Sequence, residues 1–188
     1  MIRTIELCKK EIELWQVRWN TPYANTLKLN TDGRAFSNPG KIGGGSILSD
    51  LTGSLVYAFS IPCRNCTNNQ AETLAAMHGI EWCMQHGYRR IVLEVDSELL
   101  TKRLSHTLKP PWQLQQCVKD LTNLIKQLDF FSCHQIFRKA NSTADLLSKR
   151  SHKSDVVQHY YTFQQLPAIV KGSYLLEKYE SIISEERS

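Results

Sequence analysis

No run in this sequence is long and apolar enough to span a membrane: the longest apolar stretches, such as residues 55–59, are the length of one strand. The N-terminus lacks the unbroken apolar region of a secretory signal. Arg3, Glu6, Lys9, Lys10, Glu11 and Glu13 interrupt it, and it is too acidic for an arginine-rich transit peptide. No internal repeat is present. The expectation is an intracellular protein of nucleus or cytoplasm, with no membrane partner. At 41% hydrophobic residues, wholesale disorder is excluded, and 188 residues suffice for one compact domain with short extensions.

Without a secretory signal, the six cysteines (Cys8, Cys63, Cys66, Cys83, Cys117 and Cys133) are expected as reduced thiols. Cys63 with Cys66 and Cys83 with His86 imitate a zinc pattern. Residues 69–85 have helical spacing, however, which separates the two halves by roughly 20 Å. One tetrahedral ion cannot bridge that gap.

The net charge is +5, and the basic excess sits in residues 23–155. Set four of that segment's acids aside as one site and the remainder is strongly basic, a balance suited to a polyanionic partner.

Apolar spacing marks the elements. Residues 5–17 read as a linker helix or the remnant of a longer polypeptide. Residues 27–32 alternate and form a strand ending in Asp32. Strands over residues 43–48 and 54–61 follow, completing an antiparallel meander. A helix spans 69–85 and stops at Gly87. Residues 90–96 are a strand with apolar side chains on both faces, hence central. A short helix over 97–104, a helix from Pro110-Pro111-Trp112 to about 128, a strand over 133–138 and a helix over 141–150 complete the pattern. The first crossover makes strand four parallel to strand one, giving a mixed five-stranded α/β sheet flanked by helices. The expected domains are residues 1–22 as N-terminal helix or linker, 23–155 as the folded unit and 156–188 as an extended C-terminal tail.

Four carboxylates stand out. Asp32 and Asp96 end strands that are parallel neighbours, where open α/β sheets place their sites. Glu72 and Asp145 lie in the first turns of two helices. Hydrolysis of a phosphodiester needs an activated water and a stabilised leaving oxyanion; two Mg²⁺ held by hard oxygen ligands supply both. Each acid has a plainer reading. Asn69-x-x-Glu72 and Ser142-x-x-Asp145 look like capping boxes, Asp32-Gly33 like a turn, and Asp96-Ser97 like a helix start.

The motifs around these acids resemble those of a known family. Asn30-Thr31-Asp32-Gly33, Thr67-Asn68-Asn69-Gln70-Ala71-Glu72, Val95-Asp96-Ser97 and Asn141-Ser142-Thr143-Ala144-Asp145 are similar, in order and spacing, to the four motifs of type 1 ribonuclease H. In detail they most resemble plant ribonuclease H-like domains related to non-LTR retrotransposons. The resemblance covers about residues 26–150. It implies strand order 3-2-1-4-5, two Mg²⁺ (or Mn²⁺) on Asp32, Glu72, Asp96 and Asp145, and endonucleolytic hydrolysis of the RNA strand of an RNA–DNA hybrid. Asn68, Asn69 and Gln70 match the loop that reads the hybrid's minor groove, with N-capping as the alternative for the two asparagines. Gly33 and Arg34 match backbone close to the RNA strand. The chain is expected to act as a monomer.

Two departures stand out. Residues 138–144 contain no histidine, where many family members carry one linked to product release; Arg138 is the available substitute. Only residues 105–111 separate two helices where some members have a basic protrusion. Hybrid affinity then falls to Lys102, Arg103, Lys109, Arg138, Lys139, Lys149 and Arg150. Trp112 reads as a core aromatic at a helix start, or as a stacking platform. The competing readings are a catalytically weak or inactive nucleic-acid-binding module derived from a retrotransposon, and a different nuclease on the same fold.

Overall fold

The computed structural model describes residues 25–35, 42–63 and 66–179; the helical spacing of residues 5–17 lies outside them. Alternation gives β1 (Leu27–Ala35) two unlike faces. Leu27 and Leu29 enter the main core, while Lys28, Asn30 and Asp32 point the other way and are nonetheless buried. β2 (Ile42–Ser49) and β3 (Leu55–Cys63) continue as an antiparallel meander. Their hairpin is held by Asp50, whose Oδ1 accepts from the Thr52 and Ser54 amides at 2.8 and 2.9 Å. Gly53 supplies the positive φ of 71° that the turn requires.

Helix α1 (Asn68–Gln85) crosses the sheet to β4 (Arg90–Val95), which runs parallel to β1. Then come α2 (Glu98–Leu104), α3 (Trp112–Ile125) and β5 (Phe130–Gln135), parallel to β4. A 3₁₀ turn over Arg138–Asn141 leads into α4 (Ser142–Arg150). The expected strand order is present with one addition. A short β6 (Gln158–Tyr160) pairs with β3, so the sheet has six strands, ordered β5-β4-β1-β2-β3-β6.

Residues 156–179, expected as part of an extended tail, are instead folded onto the sheet. After β6 comes α5 (Ala168–Tyr179), whose Val170 and Tyr174 join Ile47, Ala58, Leu147, Tyr160 and Leu166 in a second core. The apolar face of α5 supplies the missing partner for the β2–β3 side that α4 leaves open. The fifth strand also begins earlier than its spacing suggests, because Phe130 and Phe131 pair with Arg90 and Ile91. Arg138 therefore leaves the strand and sits on the 3₁₀ turn. Cys63 and Cys66, expected as thiols, form a disulfide that closes the β3–α1 loop; Cys83, buried inside α1, is free.

Two glycines set how closely helices approach the sheet. A Cβ at Gly33 would fall within 2.6 Å of the Glu72 Cα, and one at Gly45 within 2.6 Å of the Ala144 carbonyl. These are backbone contacts, which cannot yield as a side chain can. The same contacts carry Glu72 on α1 and Asp145 on α4 to the sheet end. We predict that Gly45→Ala lowers the unfolding free energy by about 3 kcal/mol, the upper range for an overpacked core. Urea denaturation checks this; a loss under about 0.5 kcal/mol, the usual range for a surface change, would mean α4 can be lifted without penalty.

Candidate active site

Pairing of Thr31 with Val95 brings together the residues that follow, Asp32 within β1, which runs on to Ala35 and does not end at Asp32 as its spacing suggests, and Asp96 just past the end of β4. β1 continues through Asp32-Gly33 without turning, so the turn reading fails there. Asp32 is 2% exposed, and its Oδ2 accepts a short hydrogen bond from the Ser148 hydroxyl on α4. Ser148 is one helical turn beyond Asp145 and shares its face. That spacing was available in the sequence, and the sequence reading missed it.

Glu72 comes from the opposite side of the sheet on α1. It does not cap the helix: Thr67 is the N-cap, and its partner in the capping box is Gln70. Glu72 Oε2 is buried with no hydrogen-bond partner in the structure. Nor does Asp145 cap α4. Its Oδ1 pairs with Arg34 Nη1 at 3.0 Å and lies 3.7 Å from Arg138 Nη2, and its Oδ2 pairs with Lys149. Arg138 also reaches Asp96, with Nε 3.6 Å from Oδ2. Three cations thus crowd the acids.

Burial of like charges marks these groups electrostatically. Desolvation is the chief cause that pushes Asp32 up to about 6, with Asp96 and Asp145 adding to it and the Ser148 hydrogen bond opposing. Desolvation likewise pushes Glu72 up to about 7, reinforced by Asp96 and Asp32 and opposed by Ser97 and Arg103. Asp96 is raised too, again mainly by burial, with Arg138 working against it. A cleft of roughly 420 Å³ opens over them, walled by Asp32, Glu72, Asp96 and Asn68, with Arg34 and Arg138 at its side. Asp145 lies behind those two arginines.

Among the described residues, no three His, Cys, Asp or Glu side chains form a ready-made cage for one ion. Mg²⁺ does not require one, since it keeps several waters and takes one or two carboxylates together with substrate phosphate. An unpartnered buried oxygen on Glu72, and carboxyls whose charge burial disfavours, are the donors a divalent cation would satisfy. The donor set therefore fits.

The remaining sequence candidates are placed unevenly. Asn68 is exposed at the cleft and Asn69 half-buried beside it; neither is the cap. Gln70 is already engaged: its Oε1 accepts from the Thr67 amide at 2.8 Å and its Nε2 donates to the Gln113 carbonyl at 3.3 Å. Gly33 is buried, and its chief role is the close α1 contact. Lys139 is exposed on the 3₁₀ turn. Arg103 is 5% exposed and faces inward, so it is no contact for a polyanion. Trp112, read as a core aromatic, is 78% exposed. The carbonyl of its neighbour Gln113 accepts from Gln70, so the start of α3 lies near the start of α1.

A family model described as reverse transcriptase-like matches residues 30–151. An Arabidopsis thaliana protein named for ribonuclease H is 29% identical over 132 residues, 70% of this chain and 21% of its own length. The chain belongs to the ribonuclease H family. The ribonuclease H of Cyanothece is 33% identical over 90 residues, covering 48% of this chain and 56% of that protein. The chain thus spans about a fifth and just over half the length of these two relatives. Among solved structures, the ribonuclease H1 of the archaeon Halobacterium salinarum matches 67% of this chain and 96% of its own, at 27% identity and a TM-score of 0.64. LC11 ribonuclease H1, solved with an RNA/DNA hybrid, matches 68% and 96% at 24% identity and a TM-score of 0.62; it shares the fold. The six-stranded sheet is therefore a ribonuclease H fold with a strand and a helix added after the matched region. Among the described residues of this ribonuclease H domain, no helix is long and apolar enough to cross a membrane.

The raised carboxyls give a pH signature. Asp32 and Glu72 bind protons more tightly when folded than when unfolded. Their contribution to stability is full below about pH 4 and is lost as pH rises through about 6 to 7. In chelator, Asp32→Asn should therefore gain in Tm relative to the parent as pH goes from 5 to 8, by about 3 °C. Parallel Tm curves across that range would show that the buried charge carries no such penalty.

Proposed function

We propose that this chain hydrolyses the RNA strand of RNA–DNA hybrids endonucleolytically, with two bound Mg²⁺ (or Mn²⁺). The observation that carries the reading is the convergence of Asp32, Glu72 and Asp96 on one polar cleft, with Asp145 bound to the two arginines at its side. These four would hold the ions, Asp32 centrally between its neighbours. Bound there, the ions supply an activated water and offset charge on the leaving oxygen, leaving a 3′-hydroxyl and a 5′-phosphate.

The protein's own groups do the rest. The Asn68 and Asn69 amides offer donors and acceptors to 2′-hydroxyls and base edges, which distinguishes RNA from DNA. Arg34, Arg138 and Lys149 neutralise the acids in the resting site, and are then the cations nearest a bound phosphate. Arg138 takes the place of the loop histidine at the cleft mouth. A guanidinium can hold a phosphate bidentately, but it cannot shuttle a proton. Gly33 and Lys139 flank the path of the strand. We further propose that the chain acts as a monomer.

The deciding assay is cleavage of an end-labelled hybrid with and without Mg²⁺. Cutting of the RNA strand alone is expected, falling on the order of 10³-fold in Asp32→Asn, the scale seen when transition-state charge stabilisation is lost. Salt-sensitive hybrid binding without cleavage would select the inactive binding module, and cleavage of double-stranded RNA or single-stranded DNA would select another nuclease. Trp112→Ala should weaken hybrid binding about tenfold, as expected for a lost stacking contact, and leave Tm unchanged. Unaltered affinity in a filter-binding titration would remove the indole from the interface.

A further inference from the structure

We propose that Glu177, on the added helix α5, is a positioning residue for the acidic site: it caps the N-terminus of α4 and so sets the place of Asp145. This rests on the nuclease reading given above and adds a part of the chain beyond residue 151, where the family match ends.

The first turn of a helix leaves backbone N–H groups without intrahelical partners. α4 cannot meet that need itself. Its N-cap residue, Asn141, makes no side-chain cap bond: Nδ2 donates to the Thr31 carbonyl at 2.8 Å, next to Asp32, and Oδ1, the atom that would accept from the helix, is buried without a hydrogen-bond partner. Glu177 supplies the cap from another element. Its Oε1 accepts from the Thr143 amide at 2.8 Å and from the Ser142 hydroxyl at 2.8 Å. Ser173, one turn earlier on α5, stands 2.6 Å from Ser142 Oγ and accepts from Thr143 Oγ1 at 3.3 Å. A carboxylate here is also placed correctly for the positive end of the helix dipole.

α4 is nine residues long, and two groups at the site depend on its register: Asp145, and Ser148, which bonds Asp32. Gly45 lets its backbone touch the sheet, which sets the distance of the helix from β2 but leaves sliding along its axis open. The Glu177 cap, with the Ser173 bonds beside it, and the Asn141 bond restrain its leading end. One comes from α5 and the other from β1, so Asp145 is held between the sheet and the added helix.

A purely structural role would change stability alone, so the test reads the site. Mg²⁺ is titrated calorimetrically into Glu177→Ala, Glu177→Gln, Ser142→Ala and the parent, and hydrogen exchange is followed at the amides of residues 143–149 in chelator. Glu177→Ala should weaken Mg²⁺ binding about fivefold and speed exchange in the first turn of α4 by a similar factor, the size of effect a lost cap produces. Glu177→Gln keeps an acceptor oxygen and should stay within about twofold of the parent. Ser142→Ala, the milder change, should fall between them and serves if Glu177→Ala does not fold. Mg²⁺ affinity equal to the parent in both Glu177→Ala and Ser142→Ala overturns the proposal, whatever happens to Tm. So does damage in Glu177→Gln equal to that in Glu177→Ala, since the effect would then follow the charge, which also acts on Lys28, and not the acceptor oxygen that caps α4. A parent protein that binds no Mg²⁺ sinks the nuclease reading instead, and the exchange rates alone then decide whether Glu177 holds α4.

Discussion

Like charge gathered out of water is the constraint around which the rest of this structure is arranged. Asp32 is buried among Asp96, Asp145 and Glu72, and its ionised form is disfavoured by lost hydration and by its neighbours together. Nothing local in the chain would bring these groups together, so the scaffold must impose it. The parallel β1–β4 register fixes two of the acids, and two glycine contacts press the helices bearing the other two against the sheet. Ser148, Arg34, Arg138 and Lys149 then offset part of the repulsion. Each is aimed at an acid, so Arg138 and Lys149, expected from the sequence to serve hybrid affinity, are already engaged.

The same constraint reaches down the sheet. The face of β1 and β4 that carries Asp32 and Asp96 stays polar below them: Lys28 Nζ pairs with Glu94 Oε1 at 2.9 Å, and Asn30 Nδ2 donates to Glu94 Oε2 at 2.9 Å. Lys28 is 2% exposed, and desolvation lowers its pKa, with Glu94 and then Glu177 pulling it back. A polar strip of this kind cannot be covered by an ordinary apolar helix face. α5 packs beside it, over β2 and β3, and reaches it through Glu177, whose charge acts on Lys28. Val170 and Tyr174 meet the apolar second core, the Tyr174 hydroxyl bonds the Gly53 carbonyl at 2.6 Å, and Glu177 turns toward the polar end.

This explains which parts were legible beforehand. β1 to β4 and α1 follow from alternation and 3.6-residue spacing, since their partners lie nearby in sequence or on one strongly apolar face. The tail was not legible. β6 has only three paired residues, too few to alternate. The Glu177 cap joins residues 34 positions apart, so no local motif announces it. Trp112 was misjudged for a related reason: an aromatic at a helix start is usually drawn into the core, but here Leu114, Val118 and Leu121 already fill α3's buried stripe. The four acids themselves were visible as residues, yet each alone also fitted a cap or a turn. Thr67 taking the α1 cap and Glu177 taking the α4 cap are what release Glu72 and Asp145 from that duty.

Asp145 therefore has two claims on it, and their balance bears on the proposed chemistry. Three cations hold its carboxylate, and a divalent ion must compete with them for the same oxygens. Arg34 and Arg138 are partly exposed, at 38% and 61%, so their pairs are screened by water and individually weak. Lys149 sits one turn along on α4 and stays close whatever is bound. On the proposed reading the exchange is easy on the side of the arginines, which are released toward the cleft as the acids take up metal, where a phosphate would need them. A loop histidine would carry a charge that varies near neutral pH; Arg138 carries one that does not. On that reading the contact with phosphate stays cationic, while burial pushes the cleft carboxyls of Asp32 and Glu72 up to about 6 and about 7 and raises Asp96 as well.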